Sequence, residues 1–331
     1  MKKRFDIIGK ARRRVDGRAK VTGQLRFADD LSLPRMLFAK LLRSPHPHAI
    51  VEKVDFEKAK NHPGVHLVLT GQDFPVPFGI MPVSLDEYPL ARERVRYVGD
   101  PVAAVIARDE QTATEALHLI EVAYRILPPV SDPVEALQRP EPRIHDYGEQ
   151  GNIHRNQSYE FGDVGEALGK ADLVFEDFFF YEGNTHLPME QQASLAFIDA
   201  EGKLQIASST QNPHYLHRQL ARVLRVPEAR IRVLATPNGG AFGGKCDPGG
   251  HEFVVARAAL VLGRPVKVGL TREEVFYVHR GRHPVLMKMK TGVTKDGKLV
   301  ESGTAHALFT APQQAYTKAL LSSIPGRSLR T

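Results

Sequence analysis

An α+β fold of about two domains is predicted from the 331-residue length and three observations. Short stretches of period-two alternation, such as Val122, Tyr124 and Ile126 or Ile231, Val233 and Ala235, interleave with short stretches of helical period. A segment rich in proline and charge with no clear period, residues 134–152, separates two such regions. Glycines 239, 240, 243 and 244 fill a tight connection between a strand and a helix.

Residues 1–14 are basic and weakly patterned, and read as a peripheral arm. Residues 15–133 read as one α+β domain. Leu37–Leu42 and Val51–Val54 are strands around the turn Ser44-Pro45-His46-Pro47-His48, and Phe56–Asn61 is a short helix. His46 and His48 lack a third ligand at suitable spacing, so the pair reads as a loop feature, since a metal site needs three or four convergent ligands. Val65–Thr70 is a strand, and Phe74–Leu90, rich in proline and polar residues, is expected to be a long surface loop. Arg96–Ala107 is a strand broken at Gly99-Asp100-Pro101. Asp109 caps a helix with Ala113, Ala116, Leu117 and Ile120 on one face, and Glu121–Ile126 is a further strand.

The second domain is expected from residue 153 to about 302. It opens with the aromatic strand Leu173–Tyr181 and a hairpin of Ser194–Ile198 with Lys203–Ser209 across Asp199-Ala200-Glu201-Gly202. Asn212-Pro213 starts a helix whose Leu216, Leu220, Val223 and Leu224 share a face. The strand to Ala235, the glycine loop and a helix over 252–262 with apolar residues on all sides follow. Thr271 and Glu274 spell a capping box. Val285–Val293 is expected to pair with Leu299 onward across Lys295-Asp296-Gly297-Lys298.

Composition narrows the function classes. At 42% hydrophobic and 25% charged residues the chain has the make-up of a globular protein and not of a disordered one. The net charge of +7 sits largely in short runs such as Arg12-Arg13-Arg14, without a basic face interleaved with aromatics, so no nucleic-acid partner is expected. A partner with acidic groups, such as a phosphorylated coenzyme, remains compatible. No apolar run approaches the ~20 residues that span a bilayer, so no membrane role is expected. The single cysteine, Cys246, allows no internal disulfide, fits a reducing cytoplasm, and cannot alone hold an iron–sulfur cluster.

The glycine loop admits several readings. Gly239, Gly244 and Lys245 fit the phosphate-loop spacing G-x-x-x-x-G-K, but Cys246 stands where the magnesium-binding hydroxyl belongs, and Asp247-Pro248-Gly249-Gly250 breaks the helix that should follow at once. Ala241 likewise spoils a dinucleotide fingerprint. A merely tight strand-to-helix turn is the plain alternative, with Phe242 as core packing. Gln211 is an uncharged amide at a helix entrance, or an ordinary turn residue. Glu190 and His186, in "THLPMEQQ", form either an acid/base pair or a buried salt-linked turn. Arg280, Arg282 and His283 make a basic knot that is either a solvated face or a contact for an acidic coenzyme.

Residues 238–245 resemble the glycine–phenylalanine loop of the large subunit of the xanthine dehydrogenase and aldehyde oxidase family, and the likeness runs from about Val15 to about Leu299. "DGRAKVTG", "YVGDPVAAVIA" and "VAYRILPPVSDP" resemble the family's α/β hammerhead domain. The resemblance therefore implies that domain over 15–133, a linker over 134–152, the first part of a molybdopterin-binding α+β domain over 153–302, and an atypical tail over 303–331. "MEQQ", "SSTQNPHYLHRQLA", "KCDPGGHE" and "LTREEVFYVHRGRHP" look most like the large subunit of 4-hydroxybenzoyl-CoA reductase. Relatives continue well beyond this length, so the second domain is expected to be incomplete, as in a truncated chain.

By resemblance, Gln211 approaches an oxygen ligand of molybdenum, Phe242 and Gly243 pack beside the metal with the Gly243 N–H bonding an oxygen ligand, and Gly240 belongs to the same cofactor-binding loop. Glu190 is a catalytic candidate beside Gln211, and no side chain is assigned as a metal ligand. Cys246 replaces the glutamate with which xanthine dehydrogenases bind purine. The implied cofactor is a molybdenum–pterin of the cytosine dinucleotide type, with [2Fe-2S] and FAD on partner subunits and ferredoxin as electron donor. The implied substrate is aromatic or a CoA thioester; the alternatives are a xanthine or aldehyde hydroxylase, or a remnant that only binds partner subunits.

Overall fold

The computed structural model describes residues 5, 7–79, 84–148, 150–278 and 281–295. In chain order the elements are α1 (Gly17–Val21), β1 (Leu37–Arg43), β2 (Ala49–Asp55), α2 (Glu57–Lys60), β3 (Val65–Thr70), β4 (Arg94–Val95), β5 (Pro101–Ala107), α3 (Glu110–Leu117) and β6 (Glu121–Ile126). There follow α4 (Pro133–Gln138), α5 (Val164–Gly169), β7 (Leu173–Tyr181), β8 (Ala193–Ile198), β9 (Leu204–Ser208), α6 (Pro213–Leu224), β10 (Ile231–Ala235), α7 (Gly250–Leu262), β11 (Val266–Gly269), α8 (Arg272–Val278) and β12 (Val285–Val293). The α+β class expected from the sequence is what these elements form.

Two compact units contain them, one of residues 1–155 with 184–282 and one of 156–183 with 283–331. In the first, a seven-stranded mixed sheet runs β10-β9-β8-β11-β1-β5-β3. Strand β5 explains its own composition. Ala104 and Ile106 face a core shared with α6 and α7, while Ala103, Val105 and Ala107 face a second core with Ala113 and Ala116 of α3. A strand buried on both faces must be apolar throughout, which is why "VAAVIA" does not alternate. A smaller sheet, β4-β2-β6, packs Ala49 and Val95 with Val102 of β5 in a third cluster.

The sheet joins the two segments that the sequence divides at residues 134–152. Strand β1 pairs in parallel with β11, with Leu37 opposite Val266, and antiparallel with β5. Segment 15–133 therefore shares one sheet with strands that lie after residue 193.

Local signals hold where chemistry fixes them. Asp109 Oδ1 accepts the Thr112 N–H at 2.7 Å, and Thr271 and Glu274 exchange bonds of 3.1 and 2.8 Å as a reciprocal box. Three expectations gain detail. Residues 134–152 are not featureless, because Asp132 caps α4 with Pro133 at its first position. The 74–90 connection is no simple surface loop, because Phe74, Phe78 and Leu90 lie in the main core. Strand β12 pairs with β7 over nine residues, from Val285 opposite Tyr181 to Val293 opposite Leu173; Leu299 and the rest of the tail lie outside the described residues.

The second unit's ribbon of β7 and β12 stands beside α5, which Asp163 caps through the Glu166 N–H. Its Phe175, Phe178, Phe179 and Phe180 are exposed.

Candidate functional site

The glycine loop leaves β10 at Ala235 and reaches α7 at Gly250, at one end of the first unit's large sheet. Thr236 Oγ1 donates to the Ser208 carbonyl at 2.8 Å, and Asn238 Nδ2 donates to the Thr210 carbonyl at 3.0 Å. Both bonds tie the loop to the segment that leads from β9 into α6. Gln211 lies in that segment, and its side-chain Oε1 accepts two loop amides, Gly243 N–H at 3.1 Å and Lys245 N–H at 3.3 Å. Its own N–H donates to the Lys245 carbonyl at 2.9 Å. Two N–H donors require that the atom between them be the amide oxygen, so the orientation of this amide is decided by its partners. The remaining polar group of the side chain is its NH2, a pure donor.

Phe242 is 75% exposed, so it is not core packing. It also holds φ at +53°, an uncommon value for a bulky residue that marks local strain. Gly240, with φ at +108°, lies against its ring, where an added Cβ would be 3.2 Å from Cε2. The neighbouring Gly243 has φ at +97°. In this arrangement its N–H donates to Gln211 Oε1, which leaves the Gln211 NH2 as the amide group not used in holding the loop.

Glu190 is placed in a buried salt-linked turn, one of its two sequence readings. Its Oε2 accepts the Gly239 N–H at 2.8 Å and Lys245 Nζ at 2.6 Å, with the lysine side chain 1% exposed. The Glu190 N–H donates to the Gly239 carbonyl at 3.3 Å. Arg272 fixes the preceding turn by donating to the carbonyls of Pro188 and Met189. Gly239 must be glycine, because an added Cβ would sit 2.6 Å from Glu190 Cβ. The His186 ring lies against Gly244.

These bonds dispose of the phosphate loop. Gly239, Gly243 and Lys245 donate their N–H groups inward, Gly244 donates to the Ala241 carbonyl at 2.8 Å, and Lys245 Nζ is paired. A phosphate cradle needs those groups turned toward the ligand. Burial, then Asp247, pushes the Cys246 thiol up, so it stays protonated near neutral pH and is not an activated nucleophile. His48 is buried with Nδ1 at 3.1 Å from the Pro128 carbonyl, and the His46 ring packs edge-on to Tyr124. Of the basic knot, Arg280 lies outside the described residues. Among the described residues no cluster of His, Cys, Asp and Glu could hold a metal, and no helix is long and apolar enough to cross a membrane.

Sequence reasoning missed Lys245 as a structural cation and Glu252 behind the site. Glu252 is fully buried, caps the Gly249 N–H at 2.9 Å and accepts from Ser208, which in turn accepts from Ser194 at 2.9 Å. Burial pushes its carboxyl up to about 7. The neighbouring His251 is pushed down to about 3, chiefly by burial, so it is neutral. The signal for Glu252 was the glycine pair 249–250 ahead of an acidic residue in the first helical turn.

Comparison with known proteins bears on this loop. Residues 144–320 match the family described as "Molybdopterin cofactor-binding domain", and residues 22–128 match "Aldehyde oxidase and xanthine dehydrogenase, a/b hammerhead domain". The chain is 40% identical over 297 residues to a probable xanthine dehydrogenase subunit of Bacillus subtilis, covering 89% of this chain and 39% of that protein. It is 38% identical over 304 residues to the nicotinate dehydrogenase large molybdopterin subunit of Eubacterium barkeri, covering 90% of this chain and 69% of that one. Among solved structures it superimposes on the Cu,Mo-CO dehydrogenase with a TM-score of 0.77 and 31% identity over 87% of this chain and 38% of the other. The aldehyde oxidoreductase of Desulfovibrio gigas gives 0.79 and 28% over 86% and 32%. Two family matches that between them take in the glycine loop, Gln211, Glu190 and the seven-stranded sheet lead to one assignment: the chain belongs to the xanthine dehydrogenase and aldehyde oxidase family of molybdopterin-dependent oxidoreductases.

Proposed function

We propose that this chain supplies one wall of the active centre of a molybdenum hydroxylase, built from Gln211, Gly240, Phe242 and Gly243. The observation that carries the reading is the Gln211 amide, whose oxygen is spent on Gly243 and Lys245 and whose remaining group is an uncharged donor. Such a donor fits an oxygen-bearing group without adding charge, and a preorganised donor of this kind is worth roughly 2.7–4 kcal/mol where charge develops in a dry site. When bound, a molybdenum–pterin cofactor, here proposed as the cytosine dinucleotide form, supplies oxygen-atom transfer and exchanges an electron pair. Gln211 orients the oxygen involved; Phe242, exposed and strained, excludes water beside it; Gly240 and Gly243 give the loop the turns that place both.

Electrons leave through partner subunits that carry [2Fe-2S] and FAD, since Cys246 is the chain's one thiol. A cytoplasmic setting keeps that thiol reduced. Oxidation at an electron-poor carbon of an N-heteroaromatic or aldehyde substrate is supported by the relatives, named for xanthine and nicotinate. With Cys246 in place of the purine-binding glutamate, a ring other than purine fits better. The motifs "MEQQ" and "KCDPGGHE" favour a second reading, reductive dehydroxylation of 4-hydroxybenzoyl-CoA with ferredoxin as donor.

The test is to purify the assembled complex that contains this chain, measure its molybdenum, and assay nicotinate oxidation beside 4-hydroxybenzoyl-CoA reduction. Expected are bound metal and turnover that Gln211→Ala lowers without loss of metal. A complex free of molybdenum would overturn the proposal.

A further inference from the structure

One oxygen atom holds both ends of the glycine loop. Glu190 Oε2 takes the Gly239 N–H at the loop's beginning and Lys245 Nζ at its end, at 2.8 and 2.6 Å. Lys245 is in turn bonded to Gln211 through its backbone, donating N–H to Oε1 and accepting the Gln211 N–H at 2.9 Å. The pair lies 55 residues apart in sequence, and its side chains are 1% and 11% exposed, out of reach of solvent screening. Its partner segment is anchored independently by Arg272 at the carbonyls of Pro188 and Met189.

We propose that Glu190 and Lys245 are positioning residues: their ion pair closes the loop into a ring and so fixes the direction in which the Gln211 NH2 is offered. Glu190 then acts through Gly239 and Lys245, not as a proton donor or acceptor toward substrate. The geometry points to positioning because the two groups that meet Oε2, the Gly239 N–H and Lys245 Nζ, come from opposite ends of the loop, so the pair sets the loop's closure as well as adding stability. The functional meaning of the proposal rests on the reading of this loop as a wall of the cofactor site; its structural content does not.

The experiment is amide hydrogen exchange on the full chain carrying Glu190→Gln, which keeps the volume and removes the charge. Gly239, Gly243 and Lys245 should lose about tenfold or more protection beyond whatever Ile206 and Ala207 in β9 lose, since any fall in global stability acts on all five alike. Equal loss at all five amides, or no loss at any, would overturn the proposal. The double variant E190L/K245M removes both charges and should show the same selective loss; failure of both variants to fold would also overturn it, by making the pair an element of global stability. In the assembled enzyme, Glu190→Gln should lower kcat with KM and molybdenum content nearly unchanged, and unaltered kcat would count against positioning. If the wild-type complex holds no molybdenum, the proposed function fails while the exchange result stands.

Discussion

At the scale of single residues, burial and partnering separate those that serve the fold from those available for chemistry. Lys245 is buried and charged, with Glu190 as its counter-ion, and removing one member of such a pair costs about 3–5 kcal/mol. Lys245→Met should therefore lower the unfolding free energy in urea by that order, and E190L/K245M by less, because no lone charge stays buried. Phe242 is the opposite case. It is exposed and its φ of +53° suits glycine better, so Phe242→Gly should change stability by less than about 1 kcal/mol while turnover of the assembled enzyme falls. A large loss of stability would return Phe242 to the core-packing reading. The loop was legible because glycine spacing is a local signal, whereas Gln211 was singled out only by the family resemblance, since a polar residue before Asn-Pro is ordinary at a helix start. The Glu190–Lys245 pair was not, since nothing local links residues so far apart.

At the scale of elements, the helices were legible where period and cap agree. In α6 the face Leu216, Leu220, Val223 and Leu224 is buried as its spacing requires, and Leu216→Ala should cost about 2–5 kcal/mol in thermal or urea unfolding. Strand β11 escaped notice because a four-residue segment carries too little alternation, yet it is the strand that joins β8 to β1. The β7 partner of β12 was missed because it lies more than a hundred residues away, while the pairing expected across the Asp-Gly turn falls on residues outside those described. Helix α7 makes a pH prediction. Its Glu252 has an ordinary unfolded value near 4.5 and a folded value of about 7, raised by burial, so the folded state holds the extra proton between them. The contribution of Glu252 to stability should fall as pH rises from about 4.5 to about 7 and level off above that, with Asp100, raised to about 7 by burial, acting in the same sense and His251, lowered to about 3, in the opposite one below about 6.5. Glu252→Gln should remove the Glu252 share of the slope, because an amide does not titrate, while the fold is kept because the amide can still accept from the Gly249 N–H. An unchanged slope in urea titrations from pH 5 to 8 would show that Glu252 is not its source.

At the scale of the molecule, the large sheet makes the two sequence segments interdependent. Cleavage between 134 and 152 should leave 15–133 bound to the later segment through β1 and β11, and a separately stable 15–133 fragment in limited proteolysis would contradict that sheet. The same continuity places the glycine loop at one end of the seven-stranded sheet, so the proposed wall would stand on regular structure. The claim that the Gln211 amide faces an oxygen bound to molybdenum is tested most directly by the Mo(V) electron paramagnetic resonance spectrum of the partly reduced complex, compared with that of Gln211→Ala at equal metal content. A changed spectrum together with lowered turnover is the expected result. An identical spectrum with full turnover would contradict it.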